Sequence, residues 1–75
     1  MPPNTPTSRA AANVRAEMAR RNIRRAAVAA NLGMTTSSFS RRLTGAVPFN
    51  VEELDALARL LDVTVPALLA QDTAA

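Results

Sequence analysis

The chain of 75 residues lacks both cysteine and histidine. Their absence excludes a disulfide framework and a zinc site of the Cys/His type. It also removes the most common catalytic base and the thiol nucleophile. The hydroxyl-rich segment at residues 35–38 has no base beside it. The sequence therefore predicts that the protein is not an enzyme and holds no metal, no cofactor and no small-molecule ligand.

Long apolar runs and the larger aromatic side chains are also missing. The longest apolar run, Ala26 to Ala30, is far shorter than the roughly 20 residues that cross a bilayer. Residues 1–7 show no signal-peptide pattern. Tyrosine and tryptophan are absent, which disfavours stacking of unpaired RNA bases. We therefore expect a cytoplasmic protein that does not contact the membrane.

Lysine is absent as well, so all nine basic residues are arginines, and they are unevenly distributed. Residues 1–50 hold eight arginines and one acid, Glu17, whereas residues 51–75 hold one arginine and five acids. The formal net charge of +3 therefore conceals a strongly basic first part of the chain. Such a distribution is typical of a protein that binds a polyanion.

The spacing of apolar residues predicts five helices and no strand. Residues 1–7 contain three prolines and are expected to form a disordered arm. The helical domain is expected to cover residues 8–70, and residues 71–75 are expected to form a disordered tail. The first helix should start at Thr7 or Ser8 and end with Asn22 in the left-handed conformation.

The other helix boundaries are predicted from capping residues. The second helix runs from about Arg24 to Leu32 and ends at Gly33. Each later helix begins with a residue whose side chain can cap the first turn, and these caps are Thr35, Asn50 and Thr64. Glu53 completes a capping box at the start of the fourth helix. The fold class predicted from the sequence is all-α.

The second and third helices, with a glycine between them, have the design of a helix-turn-helix. Gly33 can supply the positive φ of the turn. The small side chain of Ala29 lets the two helices cross closely, while Met34 and Phe39 fill the angle between them. This arrangement leaves the outer face of the third helix free, and in a helix-turn-helix that face enters the major groove of DNA.

Three segments in this order resemble the Cro/repressor-type (lambda-repressor-like, Xre-type) helix-turn-helix family: Val28–Thr35, Ser40–Gly45 and Glu53–Val63. The resemblance covers about residues 8–70 and implies a compact five-helix lambda-repressor-like domain. Met18 and Leu43 depart from the family, in which an arginine and an acid often pair at these positions. We expect an apolar contact there instead, an exchange that is often neutral or stabilising.

Candidate base-contacting residues lie on the outer face of the predicted recognition helix, about residues 36–43. At 100° per residue, Phe39 and Leu43 define the inner face and Arg41 lies opposite. Arginine can bind guanine O6 and N7 together. The resemblance places Thr36, Ser37 and Arg41 at positions that contact base edges in relatives. The full set of expected base contacts is Thr35, Thr36, Ser37, Ser40 and Arg41.

Arg24 and Arg25 are candidates for the DNA backbone. Positive charge at the start of a helix opposes the helix dipole, and a bound phosphate removes that conflict. In relatives this helix end lies against the DNA backbone. The full set of expected phosphate contacts is Arg24, Arg25, Ser38, Arg42 and Thr44. Whether Arg42 faces DNA or the edge of the domain stays open.

The function that these features favour is a sequence-specific, double-stranded DNA-binding transcriptional regulator of bacterial or phage type. Because the sequence shows no domain that could sense a ligand, a small Cro-like or stand-alone repressor is expected. The alternative is a helix-turn-helix that binds another protein, such as an antitoxin or an assembly factor. Leu60, Val65 and Leu69 either contribute to a homodimer contact or complete a thin core.

Overall fold

The computed structural model describes residues 4–71, and within that range the chain folds into five helices with no strand. The helices are α1 (Pro6–Arg21), α2 (Arg25–Asn31), α3 (Thr36–Leu43), α4 (Val51–Leu61) and α5 (Val65–Leu69). The all-α prediction is therefore confirmed. The expectations for residues 1–3 and 72–75 lie outside the described residues.

Helix α1 begins earlier than the expected boundary of the domain at residue 8. Thr5 and Ser8 cap it reciprocally: the Ser8 amide donates to Thr5 Oγ1 at 3.1 Å, and the Thr5 amide donates to Ser8 Oγ at 3.0 Å. Pro6 occupies the first helical position, where its missing N–H costs nothing because that group has no intrahelical partner. Because this capped helix begins at Pro6, the assignment of Pro6 and Thr7 to a disordered arm is wrong.

The four longer helices end in the same way, with a left-handed residue after the last turn. In α1 this residue is Asn22, at φ 54°, and the following Ile23 amide donates to the Met18 carbonyl at 3.0 Å. The equivalent residues after α2, α3 and α4 are Gly33, Gly45 and Asp62. The sequence predicted Asn22 and Gly33. It missed Asp62, because aspartate is a weaker signal for this conformation than glycine.

The core lies between α1 and the other helices, and its largest fully buried side chains come from all five. They are Val14, Val28, Phe39, Leu43, Leu57, Leu61 and Leu68. Met18 and Leu43 are 6% and 1% exposed and belong to the same buried cluster. Neither side chain lies in solvent, as expected for an apolar pair at these positions. The inner face of α3 is therefore anchored to α1 through the core.

As in every α-helix, the last carbonyl groups of α5 have no partner within the helix, and side chains of α1 bind them. Arg9 Nε donates to the Leu69 carbonyl at 2.8 Å. Asn13 Nδ2 donates to the Leu68 carbonyl at 2.7 Å and to the Ala70 carbonyl at 2.9 Å. The last helix is thus held against the first by side-chain to backbone hydrogen bonds.

Candidate nucleic-acid interface

The turn between α2 and α3 sets the direction of the third helix. Gly33 has a φ of +70°, and the Met34 amide donates to the Ala29 carbonyl at 3.0 Å, which closes the end of α2. Ala29 is buried where the helices cross, and Val28 next to it is part of the core. Two short helices joined by a glycine turn, as the sequence predicted, therefore carry the candidate interface.

Helix α3 has one buried and one exposed side. Thr35 caps it, since its Oγ1 accepts a hydrogen bond from the Ser38 amide at 3.1 Å. Phe39 and Leu43 are fully buried, whereas Ser37 and Arg41 are exposed. The rotation of the helix is therefore the one that the sequence predicted, with Arg41 opposite the buried pair.

Three of the five expected base-contacting residues have open side chains, which means that they are exposed and make no hydrogen bond within residues 4–71. Thr36, Ser37 and Arg41 are exposed, and within residues 4–71 their side chains have no hydrogen-bonding partner. Thr35 is exposed too, but its hydroxyl is used as the helix cap. Ser40 is half-buried and its Oγ accepts a hydrogen bond from Arg25 Nη1 at 3.2 Å. We call these two hydroxyls and one guanidinium the open strip: Ser37 and Arg41 lie one turn apart on the same face of α3, and Thr36 is its first residue.

The start of α2 carries two more arginines, one of which contacts α3. Arg24 has extended backbone angles at the N-cap position and makes no side-chain cap, and the first turn of α2 contains no acid. Its guanidinium has no acceptor in the described part of the chain. Arg25 reaches across to Ser40 on α3. Positive charge at this helix end is therefore not compensated by the domain itself.

Two candidate phosphate contacts have hydroxyl side chains, and one lies in α3 while the other directly follows it. Thr44 lies just after the helix and is exposed, and its Oγ1 donates to the Arg41 carbonyl at 2.9 Å. Ser38 is half-buried in the first turn of the helix. Both hydroxyls thus lie near the ends of α3, one at each end.

Arg42 is directed away from the open strip. Its Nε donates to Glu53 Oε1 at 3.2 Å, and its Nη1 donates to the Ser38 carbonyl at 3.0 Å. The side chains of Arg42 and Glu53 are 22% and 14% exposed. Arg42 therefore lies at the edge of the domain, between α3 and α4. We leave it out of the proposed interface.

Several arginines that contribute to the basic part of the sequence bind groups of the protein itself. Arg15 donates to the Leu43 carbonyl at the end of α3, and Arg9 binds the end of α5. Glu17 pairs with both Arg20 and Arg21. Sequence reasoning missed Arg9 and Arg15, because backbone acceptors on a distant helix leave no local pattern. The number of arginines in the sequence is therefore larger than the number that remain open to a polyanion.

A family model described as a helix-turn-helix domain matches residues 9–71, and the chain belongs to this helix-turn-helix family. No curated protein and no solved structure matches the chain significantly. Helix-turn-helix domains of this kind are DNA-binding regulators in general and are typically not enzymes. Among residues 4–71, none of the helices has the length and apolar character needed to cross a membrane.

Proposed function

We propose that the protein is a sequence-specific transcriptional regulator that binds double-stranded DNA in the bacterial cytoplasm with α3 in the major groove. We infer that this regulator is a small Cro-like or stand-alone repressor of bacterial or phage origin. The observation that carries the proposal is the position of Arg41. It lies opposite the buried side of α3, is exposed, and has no acceptor within the described chain.

The chemistry of the strip around Arg41 fits base recognition. Thr36 and Ser37 have short side chains, which allow the helix to approach the base edges closely. The Arg41 guanidinium is the long donor on this face, and its planar fork matches the O6 and N7 acceptors of guanine. We infer that Arg41 reads one guanine and that Thr36 and Ser37 contact neighbouring bases. Thr35 and Ser40 are secondary candidates because their hydroxyls already have partners.

The start of α2 supports a backbone contact. Arg24 and Arg25 place two guanidinium groups at a helix end that lacks any acid. Ser38 lies in the first turn of α3, where a hydroxyl group can donate to a phosphate oxygen. Thr44 is a secondary candidate, because its hydroxyl already donates to the Arg41 carbonyl. Phosphate contacts of this kind orient the helix in the groove but carry no sequence information. We therefore propose that Arg24 and Arg25 orient the domain on DNA and that Arg41 recognises a base.

The test begins with selection of the preferred site from random duplex DNA. The Kd of the parent and of Arg41→Ala is then measured on the preferred and a scrambled duplex at one fixed salt concentration. We expect a loss of about 1–3 kcal/mol on the preferred duplex and relaxed preference at one base pair. On the scrambled duplex the loss should be much smaller, because phosphate contacts remain.

Arg59→Ala is the matched control, since it also removes one positive charge from an exposed helix position but lies on α4, paired with Asp55. It should not change discrimination between the two duplexes. Equal losses of Arg41→Ala on both duplexes would make Arg41 a backbone contact. No loss on either would remove α3 from the interface, and a partner protein bound without DNA affinity would favour the protein-interaction alternative.

The proposal includes a homodimer through the C-terminal helices. Leu60 and Val65 pack against the core of their own domain, and Leu69 is half-buried. Leu60 and Val65 thus contribute to the core of their own domain, and Leu69 is the residue of the three that we propose for a contact with a second copy. If the regulator does bind as a dimer, the selected site should contain two half-sites about one helical turn apart.

A further inference from the structure

The ion pair between Arg42 and Glu53 joins the recognition helix to the start of α4. Glu53 Oε1 accepts a hydrogen bond from the Asn50 amide at 3.0 Å, which is part of the capping box, and another from Arg42 Nε at 3.2 Å. Arg42 Nη1 also donates to the Ser38 carbonyl, one turn earlier on α3, at 3.0 Å. A single carboxylate oxygen thus connects the cap of α4 to the side of α3. We call this arrangement the Arg42–Glu53 bridge.

The bridge differs in its surroundings from the other ion pair of α4. The side chains of Arg42 and Glu53 are 22% and 14% exposed, whereas those of Arg59 and Asp55 are 82% and 56% exposed. Water and salt screen an exposed pair almost completely but a half-buried pair much less. Loss of either partner of the bridge would leave the other charge partly buried and unpaired, which is unfavourable.

The geometry of α3 explains why such a bridge matters for its outer face. The helix has eight residues and is only about 12 Å long. Phe39 and Leu43 anchor its inner side by apolar packing, which has no directional preference. The Arg42 contacts are directional. Because Arg41 and Arg42 are consecutive, any rotation of α3 that breaks the bridge also displaces Arg41.

We propose that Arg42 and Glu53 are positioning residues that set the sequence discrimination of α3 without touching DNA. This inference rests on the proposed function, because it concerns the same recognition helix. The bridge holds the rotation of α3 relative to α4, and so it keeps the Arg41 guanidinium at a fixed angle to the base edges. A small displacement of a recognition group weakens the contacts that distinguish one base pair from another.

The chain offers variants that isolate the bridge. Glu53→Gln removes the negative charge but keeps the capping box, since glutamine also serves at that position. Its control is Asp55→Asn, which makes the same change in net charge on the exposed pair of the same helix. Arg42→Gln is compared with Arg59→Gln in the same way. Long-range attraction to DNA is therefore equal within each pair of variants.

The measurement is the ratio of the Kd on a scrambled duplex to the Kd on the preferred duplex. We expect Glu53→Gln and Arg42→Gln to lower this ratio about threefold to tenfold relative to their controls, a coupling of the size found for contacting side chains. The double variant should lose no more than either single variant, because both remove the same bridge. The dependence of affinity on salt should match that of the controls.

Two results with DNA would overturn the inference. If Arg42→Gln weakens both duplexes equally and has a shallower salt dependence than Arg59→Gln, Arg42 binds phosphate. If Glu53→Gln discriminates as well as Asp55→Asn, the bridge does not position α3. Either result would leave the proposed function intact.

A measurement without DNA separates failure of the bridge from failure of the proposed function. Amide hydrogen exchange of α3 should be faster in Glu53→Gln than in Asp55→Asn, because the helix loses a directional contact. A parent protein that does not distinguish duplexes would overturn the proposed function and, with it, the role in discrimination. Unchanged exchange in α3 would overturn the positioning role itself.

Discussion

Arg41 and Arg42 are adjacent in the chain, yet their guanidinium groups lie in different surroundings. Arg41 is exposed and has no acceptor in the described part of the protein, whereas Arg42 binds Glu53 and the Ser38 carbonyl. One step of 100° around α3 separates the two. At the level of single residues, the role of an arginine here depends on the acceptors within its reach, because its charge is the same everywhere.

Arg24 and Arg25 give a prediction at the residue scale. Changing both to alanine should weaken binding to all duplexes by a similar factor, because phosphate contacts carry no sequence information. The slope of log Kd against log salt should become shallower by roughly one for each lost contact. Titrations of the parent and the variant over a range of salt concentrations measure this slope.

The matched control for this pair is Arg20→Ala with Arg21→Ala. It removes the same charge from the end of α1, where both side chains pair with Glu17. An equal change of slope in both double variants would show that only net charge matters, and would contradict a phosphate site at the start of α2.

At the level of helices, each of the four longer elements ends in a left-handed residue that directs the chain into the next element. Asn22, Gly33 and Gly45 are residue types that tolerate this conformation well, whereas Asp62 is tolerated less well. For the proposed function the turn at Gly33 matters most, because it sets the angle between α2 and α3.

Gly33 gives a prediction at the element scale. A Cβ at this position would meet no atom within 4 Å, so the only cost of a side chain is the positive φ of 70°. Gly33→Ala should therefore lower the free energy of unfolding by about 1–2 kcal/mol, the cost of a left-handed residue. Denaturation with urea measures this change.

Gly33→Asn is the control for the turn, since asparagine adopts the left-handed region more readily, and it should lose less stability than Gly33→Ala. Asp62→Gly should change stability in the opposite direction, because it removes a side chain from the same conformation. A much larger loss for Gly33→Ala would mean that the side chain clashes, contrary to the open space around this glycine.

At the level of the whole molecule, α1 holds the domain together. Its buried side chains enter the core, Arg9 and Asn13 bind the end of α5, and Arg15 binds the end of α3. Arg9 and Arg15 of α1 thus stabilise the fold, whereas Arg24 and Arg41 have no acceptor in the described part of the chain. The unevenly distributed arginines therefore divide into bound and open side chains once the helices pack.

The apolar pair in the core gives a prediction at the scale of the fold. Met18→Arg combined with Leu43→Glu would replace this apolar pair with a buried pair of opposite charges. We expect this double variant to be less stable than the parent by about 1–4 kcal/mol, because desolvation of two charges exceeds their attraction in a packed core. Thermal unfolding measures the difference.

Met18→Arg alone is the control for the core and should be less stable than the double variant, since the arginine then lacks a partner. A double variant that is more stable than the parent would show that the surroundings of Met18 and Leu43 favour charge. An ion pair would then be more favourable than the apolar pair at these two positions of this chain.

Much of the fold and part of the candidate site follow from local patterns. The capping box of Asn50 and Glu53, the left-handed Asn22 and Gly33, and the rotation of α3 were all predicted from spacing within one helix or turn. Capping and periodicity act between residues three or four apart, so the sequence displays them directly.

The sequence by itself determined where the helices lie, which side of α3 is buried and that Arg41 is on the opposite side. Tertiary structure decided which arginines are occupied by the protein and which are open. Arg9, Arg15 and Arg42 find acceptors on other helices, or across the gap between α3 and α4, only after the chain has packed. Hydrogen bonds over such separations depend on distances that no local pattern encodes, and for that reason charge counted along the sequence could not assign the interface.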